Sequence, residues 1–528
     1  MPRIRDFFFF LAAVVGTIGC VREDSSSPPN VVLILSDNQS QSLLGTYGND
    51  EIKTPNIDRL AEEGIRFNYA FAVNGVCSPT RATLLTGLIP SQTGIHVALP
   101  GATDVSGWSG IEEFRSLPQT LSEAGYSTGL VGKYHLGEAD DPQLGFHYWV
   151  TFPSGHTTTF YDQSVIDNGE TYTVGKHLTD FWTDKAIDFI SSQSADRPFF
   201  LYLSYNGPYM LPPTVNMEPR NRHAAYYEEH TPDFARESTP HPYVMRWAQG
   251  RGPSDVMIDE GTTAAKAIDA LTNRAAVINT ASETTMVDDG VGRVMEALSQ
   301  HGFDDNTLVI YTSDQAASYG QHGFWGNTSW SFPFTVSNVH MQVPLVFRHP
   351  GRISAGAETD RLVGQYDFFP TVLDYLGMGE VTIENTSGKS YAPLLRGEGM
   401  DWEEAVFFEF VTLRVIRTPK WKYMKRLDRE EPDTLFDMET DPGETTNLVG
   451  DPAYREVVES LDERLTAFFE KYAVPEYDLW KGGTAKGRLL EEHYGRDHIF
   501  RDRFPNWRPP FIEKAETTFS DLKPSRVP

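Results

Sequence analysis

The run Val31-Val32-Leu33-Ile34-Leu35 constrains the fold more than any other stretch of the chain. A strand with one wet face alternates apolar and polar residues. This run has no polar member, so both of its faces must be covered. Such strands belong to parallel sheets with helices packed on either side. The pattern recurs at Ser127 to Val131, Phe199 to Tyr205, Thr307 to Thr312 and Val343 to Phe347. Between these runs lie helical periods. One starts at Thr54-Pro55, with Thr54 as its cap, and turns Ile57, Leu60, Ala61 and Ile65 to one face. Others run from Leu117 to Ala124, through Leu178, Phe181, Trp182, Ala186, Phe189 and Ile190, and through Val287, Val291, Val294 and Leu298. The alternation predicts an α/β fold: a large mixed, mainly parallel sheet flanked by helices.

The pattern changes near Gly397. Ala405 to Phe410, Leu413 to Arg417, Trp421 to Lys425 and Thr434 to Met438 are short, closely spaced strand-like runs. A helix from Ala453 to Tyr472 follows. These predict a smaller C-terminal α+β subdomain with an antiparallel sheet, over 398–528, whose residues 473–528 wrap as coil. Residues 30–397 form the main domain, in which 211–260 reads as a long irregular insertion near the substrate side.

Residues 1–20 read as an export signal, with Arg3 and Arg5 ahead of the apolar run Phe7 to Ile18. That run is shorter than the roughly 20 residues that span a bilayer. Thr17-Ile18-Gly19-Cys20 resembles a bacterial lipoprotein cleavage box, with Cys20 lipidated and 21–29 as a linker. Because the box usually opens with Leu, an ordinary signal peptide is the alternative. Either reading places the protein outside the cytoplasm, in the periplasm or at the outer membrane, with the lipid as its membrane contact. Cys77 is the only other cysteine, which excludes a disulfide framework and cysteine-rich zinc sites. A balance of 45 Lys+Arg against 73 Asp+Glu, a net charge of −28, argues against a nucleic-acid partner.

Ligand sites in parallel α/β sheets lie beyond the carboxyl ends of the strands. Asp37-Asn38 follows one such end and Asp314-Gln315 another. Two carboxylates and two amide oxygens make a hard-oxygen set suited to Ca²⁺, or less well to Mg²⁺. Taken singly, each pair is as well explained as a helix cap; their recurrence favours a site. In Cys77-Ser78-Pro79-Thr80-Arg81, Pro79 suits the first turn of a helix that runs to Leu85. Cys77 would then sit at the helix N-terminus, where the dipole favours an anion, with Arg81 one turn on. The plain alternative is a small buried cysteine.

Cys77-Ser78-Pro79-Thr80-Arg81-Ala82-Thr83-Leu84-Leu85-Thr86-Gly87 resembles the signature of the type I sulfatases, on the alkaline-phosphatase-like fold. Thr54 to Leu60, Gly132-Lys133-Tyr134-His135-Leu136-Gly137, Thr312-Ser313-Asp314, Val343-Pro344-Leu345 and Leu435-Phe436-Asp437 resemble the family in the same order. The likeness covers 29–470 and implies that 30–397 is a catalytic domain. It implies that Cys77 is converted to formylglycine by a maturase. Asp37, Asn38, Asp314 and Gln315, with the formylglycine oxygen, would hold Ca²⁺. Arg81 would hold the hydrated aldehyde and Lys133 the sulfate. His135 would assist sulfate release, and His156 would face the substrate. The implied reaction is hydrolysis of a sulfate ester, most naturally of a sulfated glycan or oligosaccharide, through a sulfo-enzyme intermediate. One hydroxyl of the aldehyde hydrate takes the sulfate, and the second allows its release.

The chain departs from the family pattern in places. Asn38 stands where Asp is usual, and Gln315 where Asn is frequent. Tyr209 in Asn206-Gly207-Pro208-Tyr209 replaces a His placed to protonate the leaving group, and Tyr is a poor acid at neutral pH, so that role could pass to His156, to His340 or to another His from a loop. Asn327, after His322-Gly323, replaces a sulfate-contacting Lys; His322 or His340 could supply that donor. These changes keep two other readings open. One is an inactive sulfated-glycan-binding lipoprotein. The other is a phosphonate or phosphate monoester hydrolase on the same scaffold. Trp108, Trp149, Trp325 and Trp330 could stack on sugars.

Overall fold

A computed structural model describes residues 27–486 of the 528, apart from 100–108, 154–156, 158, 210–213, 234–236, 249–262 and 429–430. The export signal, Cys20, most of the linker, Trp108, His156 and the tail beyond 486 lie outside the described residues. Among those residues no helix is long and apolar enough to cross a membrane.

The strands in chain order are β1 (Asn30–Ser36), β2 (Ile65–Phe71), β3 (Ser127–Gly132), β4 (Tyr148–Thr151), β5 (Gln163–Asp167), β6 (Glu170–Val174), β7 (Phe199–Ser204) and β8 (Thr307–Ser313). There follow β9 (Ser318–Tyr319), β10 (Trp325–Gly326), β11 (Gln342–Val343), β12 (Leu345–Arg348), β13 (Ala357–Gly364), β14 (Val406–Phe410), β15 (Leu413–Arg417), β16 (Trp421–Arg426) and β17 (Thr434–Asp437). The large sheet has the order β11-β2-β12-β8-β1-β7-β3-β4-β5-β6, with β13 also beside β2. Its centre, β8-β1-β7-β3-β4, is parallel throughout. Strands β11, β12, β5 and β6 add antiparallel pairs on both sides. The predicted strand Val343–Phe347 is split into β11 and β12 at Pro344, which has no N–H for a ladder.

Every residue of β1 is buried. Val31, Leu33 and Leu35 join the core on one face of the sheet, and Val32 and Ile34 join the core on the other. Each such side chain contributes roughly 1.5–3 kcal/mol when fully buried. The first core takes residues from the helices Cys77–Thr86, Leu117–Glu123 and Phe368–Tyr375. The second takes them from Pro55–Glu62, Leu178–Ser191 and Arg274–Gln300. The last helix starts well before the apolar period at Val287, because Asn273 caps it by accepting from the Ala275 N–H at 2.9 Å. Where the sequence suggested irregular chain at 211–260, short helices form at Ala224–Glu229 and Pro242–Ala248.

Strands β14-β15-β16-β17 form the expected antiparallel sheet. One face carries Phe407, Ile416, Tyr423 and Leu435 against Leu461, Leu465 and Phe469 of the helix Arg455–Tyr472. The other carries Phe408, Phe410, Leu413, Val415 and Met424 into the main core. The C-terminal unit therefore shares a core with the large sheet.

Candidate active site

Four adjacent parallel strands, β8, β1, β7 and β3, deliver their following residues to one place: Asp314, Asp37, the loop to Tyr209, and Lys133. The Asp37 and Asp314 N–H groups bond Gly207 and Ser36 carbonyls at 2.9 and 3.1 Å, fixing both strand exits. Cys77 enters from the N-terminus of the helix Cys77–Thr86. Asp37, Cys77 and Asp314 each bring one donor atom to within 4.8 Å of the others, and all three residues are buried.

Arg81 binds this group together. Its Nε and Nη2 donate to Asp314 Oδ2 at 3.0 and 2.7 Å. Its Nη1 donates to the Lys133 carbonyl at 2.8 Å and to Ser204 Oγ at 2.5 Å. Lys133 Nζ donates to Asp37 Oδ2 at 2.5 Å, and lies 5.1 Å from the centre of the Tyr209 ring. Two buried carboxylates are thus matched by two buried cations. Burial alone would lower both cation pKa values. Asp314 beside Arg81, and Asp37 beside Lys133, more than reverse this, so both values end above the ordinary ones. Asp314 is pushed up to about 6, first by burial and then by Asp37. Burial pushes the Cys77 thiol up to about 12, so the unmodified side chain is a neutral, weak nucleophile.

Amides complete the cage. Gln315 Nε2 donates to Cys77 Sγ at 3.2 Å and to Asn38 Oδ1 at 2.6 Å. Asn327 Nδ2 reaches the same Asn38 oxygen at 3.3 Å, while Asn38 Nδ2 faces Asp37 Oδ1 at 3.2 Å. Gln315 Oε1 is buried without a hydrogen-bond partner. Asn38 has a φ of 60°, which Asn tolerates better than most residues.

His135 also has a positive φ, 57°, and its Nε2 sits 3.0 Å from the Leu99 carbonyl. The Leu99 N–H in turn bonds Ser78 Oγ at 2.9 Å, beside Cys77. Asp37, Asn38, Cys77, Arg81, Lys133, Asp314, Gln315 and Asn327 are therefore brought together, with His135 at their edge. His322 is set apart, on a turn facing Gly443 and near Asp441. His340 is buried, with Nδ1 bonded to Ser337 Oγ at 2.7 Å and its ring against Phe324. Trp149 and Trp325 are buried packing residues, which removes them as sugar platforms; Trp330 remains half-exposed. Sequence reasoning missed Ser204 and Gln365. Gln365 Nε2 donates to the Ser313 and Asp314 carbonyls at 3.2 and 2.6 Å. Neither carries a local signal, since each acts by sitting beside a loop from another part of the chain.

Residues 29–378 match the family model described as Sulfatase. The chain belongs to the sulfatase family. Residues 322–471 of this sulfatase also match the C-terminal model of N-sulphoglucosamine sulphohydrolase. It is 27% identical to an N-acetylglucosamine-6-O-sulfatase of Bacteroides thetaiotaomicron, over 89% of this chain and 92% of that one. It is 28% identical to the human N-acetylgalactosamine-6-sulfatase, over 71% and 67% of the two chains. A solved structure in complex with its substrate, D-glucosamine-2-N,6-O-disulfate, superposes with a TM-score of 0.69 at 25% identity, covering 84% of this chain and 98% of that one. The sulfatase is an enzyme, a hydrolase of sulfuric esters on the alkaline-phosphatase-like fold. Phosphonate monoester hydrolase of Agrobacterium radiobacter shares that fold, with a TM-score of 0.62 at 24% identity, over 84% of this chain and 96% of that one.

Proposed function

We propose that this sulfatase is an exported enzyme that removes sulfate from sulfated carbohydrates, with formylglycine at position 77 and Ca²⁺ in the cage. The observation that carries the reading is the buried meeting of Cys77 with Asp37, Asp314 and Arg81. The amino-sugar sulfates named for its relatives support the substrate class.

The donor set suits a divalent cation. Asp37 and Asp314 bring hard oxygens to one point beside Cys77, and Gln315 would add its unpartnered Oε1 by turning its amide over. Asn38 would add its own oxygen by releasing Gln315 Nε2. Calcium is favoured over magnesium because a cage of mixed amide and carboxylate oxygens suits the larger, geometrically tolerant ion. Such a cation supplies positive charge for the ester and polarises the oxygen at position 77. A formylglycine hydrate supplies two hydroxyls, one to bond sulfur and one whose deprotonation frees the sulfate.

The chain's own residues do the rest. Lys133 and Arg81 carry fixed positive charge toward an anionic substrate, and their burial strengthens the attraction. Asp37 and Asp314 hold those cations in place without side-chain freedom. Tyr209 keeps its proton, since burial first, and then the anions around it, raise its pKa well above the usual value. It is a poor general acid, and we assign leaving-group protonation to a histidine instead.

The test is mass spectrometry of the tryptic peptide Phe67–Arg81 from the native host or a strain with a competent maturase, alongside aryl sulfate and aryl phosphate assays. An aldehyde at 77 with sulfate preferred supports the proposal. An unmodified thiol, with glycan binding and no release, would leave a binding lipoprotein; preferred aryl phosphate turnover would indicate a phosphoester hydrolase. Lipidation at Cys20 is tested by Cys20→Ser, which should move the protein from the membrane to the soluble fraction, and export by fractionation of the periplasm.

A further inference from the structure

Arg426 closes β16 on the face of the C-terminal sheet that packs toward the main domain, opposite Leu413. The residue is only 6% exposed, yet its Nε and Nη1 have no hydrogen-bond partner. The carboxylates around it are engaged elsewhere. Asp428 Oδ2 accepts from Thr412 Oγ1 at 2.7 Å, and Glu431 Oε1 accepts from Arg246 Nη1 at 2.8 Å. Asp433 accepts from the Arg426 backbone N–H at 2.8 Å and from the Tyr423 hydroxyl at 3.1 Å. Among the described residues none forms an ion pair with the Arg426 guanidinium. Burial lowers its pKa, and the nearby Asp428, Tyr243, Glu431 and Asp433 offset this only in part. Buried guanidinium N–H groups left without an acceptor are costly for a fold to hold. In a chain of net charge −28, those bare N–H groups suit an anionic ligand.

Two chains of contact connect Arg426 to the reacting centre. In the first, Asn327 bonds Asn38, and Thr328 is packed so closely on Gly75 that a Cβ there would lie 2.1 Å from its Oγ1. The same loop continues to Phe332, whose N–H bonds the Tyr243 carbonyl at 2.9 Å, and Tyr243 lies in the electrostatic field of Arg426. From Asn327 to Phe332 an extended chain spans at most ~18 Å. In the second, Asn74 Nδ2, close before Cys77, bonds the Glu409 carbonyl at 2.9 Å at the end of β14. The hairpin that follows places Leu413 against Arg426. On the loop between, half-exposed Trp330 packs at a tilt against Trp247, ring centres 5.3 Å apart, and offers an apolar ledge.

We propose that Arg426 is the anion-binding residue of a subsite beside the reacting centre, which takes a second negative group, carboxylate or sulfate, of the same saccharide. The inference rests on the sulfated-carbohydrate reading. A guanidinium fork suits both groups, because each offers two coplanar oxygens. Arg417 serves as the internal comparison. It has the same bare Nε and Nη1, but stands at the other end of that sheet face, opposite Lys422 and near Tyr69.

The test measures saccharide binding calorimetrically in a Cys77→Ala background of the full mature chain, and aryl sulfate turnover separately in the modified enzyme. The probes are glucosamine 2-N,6-O-disulfate, a uronate-containing 6-sulfated disaccharide, and singly charged N-acetylglucosamine 6-sulfate. Arg426→Met should weaken at least one doubly charged probe roughly 10- to 100-fold, the loss of a charge-assisted hydrogen-bond pair. The singly charged probe and aryl sulfate kcat/KM should change less than about threefold by the same reasoning. Arg426→Lys, which keeps the charge without the fork, should fall between, and Arg417→Met should alter no probe. The melting temperature of Arg426→Met should hold or rise, because an unpaired buried charge is removed. Equal weakening of all three probes, or of none, would overturn the assignment. Absence of aryl sulfate turnover from fully modified protein would instead count against the enzyme reading, while the binding comparison still decides on Arg426.

Discussion

Gln315 shows how individual side chains set the character of the site. One amide bridges Cys77 and Asn38 through its nitrogen and leaves its oxygen buried and unpartnered. Asn38 is held by Gln315 and Asn327 and donates to Asp37. Asn38→Asp should therefore act in two directions. Without calcium it places a third carboxylate beside Asp37 and Asp314, so the melting temperature falls. With calcium the added ligand charge should tighten binding roughly tenfold, read from the calcium concentration that half-restores the melting temperature. Tyr209→Phe keeps the ring beneath Lys133 and removes only the hydroxyl. Its aryl sulfate kcat should stay within a few-fold of wild type; a loss of roughly 10²- to 10⁴-fold would mean that the phenol is the general acid after all. Asp37, Asp314 and Cys77 were legible because strand ends and helix starts have local signatures. Lys133 and His135 were legible only through resemblance. Ser204 and Gln365 were not legible at all, since they matter through contacts with residues distant in the chain.

At the scale of elements, the parallel centre could be read because its strands are continuously apolar. Strand β2 could not: Ile65–Phe71 interleaves Arg66, Asn68 and Tyr69 with apolar residues and resembles the end of a helix. The β5–β6 hairpin carried a usable signal in Asn168-Gly169, both at positive φ, a pair suited to tight hairpin turns. Gly132 is the element-level joint of the site. It ends β3 at a φ of 106°, and a Cβ there would lie 1.9 Å from the Ser204 carbonyl oxygen. That carbonyl accepts the Lys133 N–H at 2.8 Å. Gly132→Ala should cost more than about 3 kcal/mol by forcing β3 from β7. Chemical denaturation would measure the loss, and residual folded protein should show a larger drop in kcat than in stability-matched variants elsewhere.

For the molecule as a whole, acid stability depends on groups that the fold keeps from their ordinary charge. Burial lowers His96 and His349 to about 4 and His340 to about 3. The folded chain then binds fewer protons than the unfolded chain below pH 6.5. Their contribution is complete above that pH and is lost as pH falls toward 4. Asp288 and Asp367, raised by burial to about 6 and about 7, act oppositely and offset part of the loss. A single variant isolates the sign. His340→Asn should be less stable than wild type at pH 8, and the gap should narrow toward pH 4.5 by up to roughly 1.4 kcal/mol per unit, followed by thermal melts across that range.

The burial of Cys77 also sets a schedule. In the finished structure the thiol is 4% exposed, and Asp37 and Gln315 both contact its sulfur. On the proposed reading, an enzyme that oxidises this side chain must meet it before the sheet closes. The order of events in the cell then becomes part of the catalytic apparatus: translation, oxidation, export and folding compete in time. A chain that folds first is sealed as a well-packed but inert molecule, which no later supply of maturase can rescue without unfolding it.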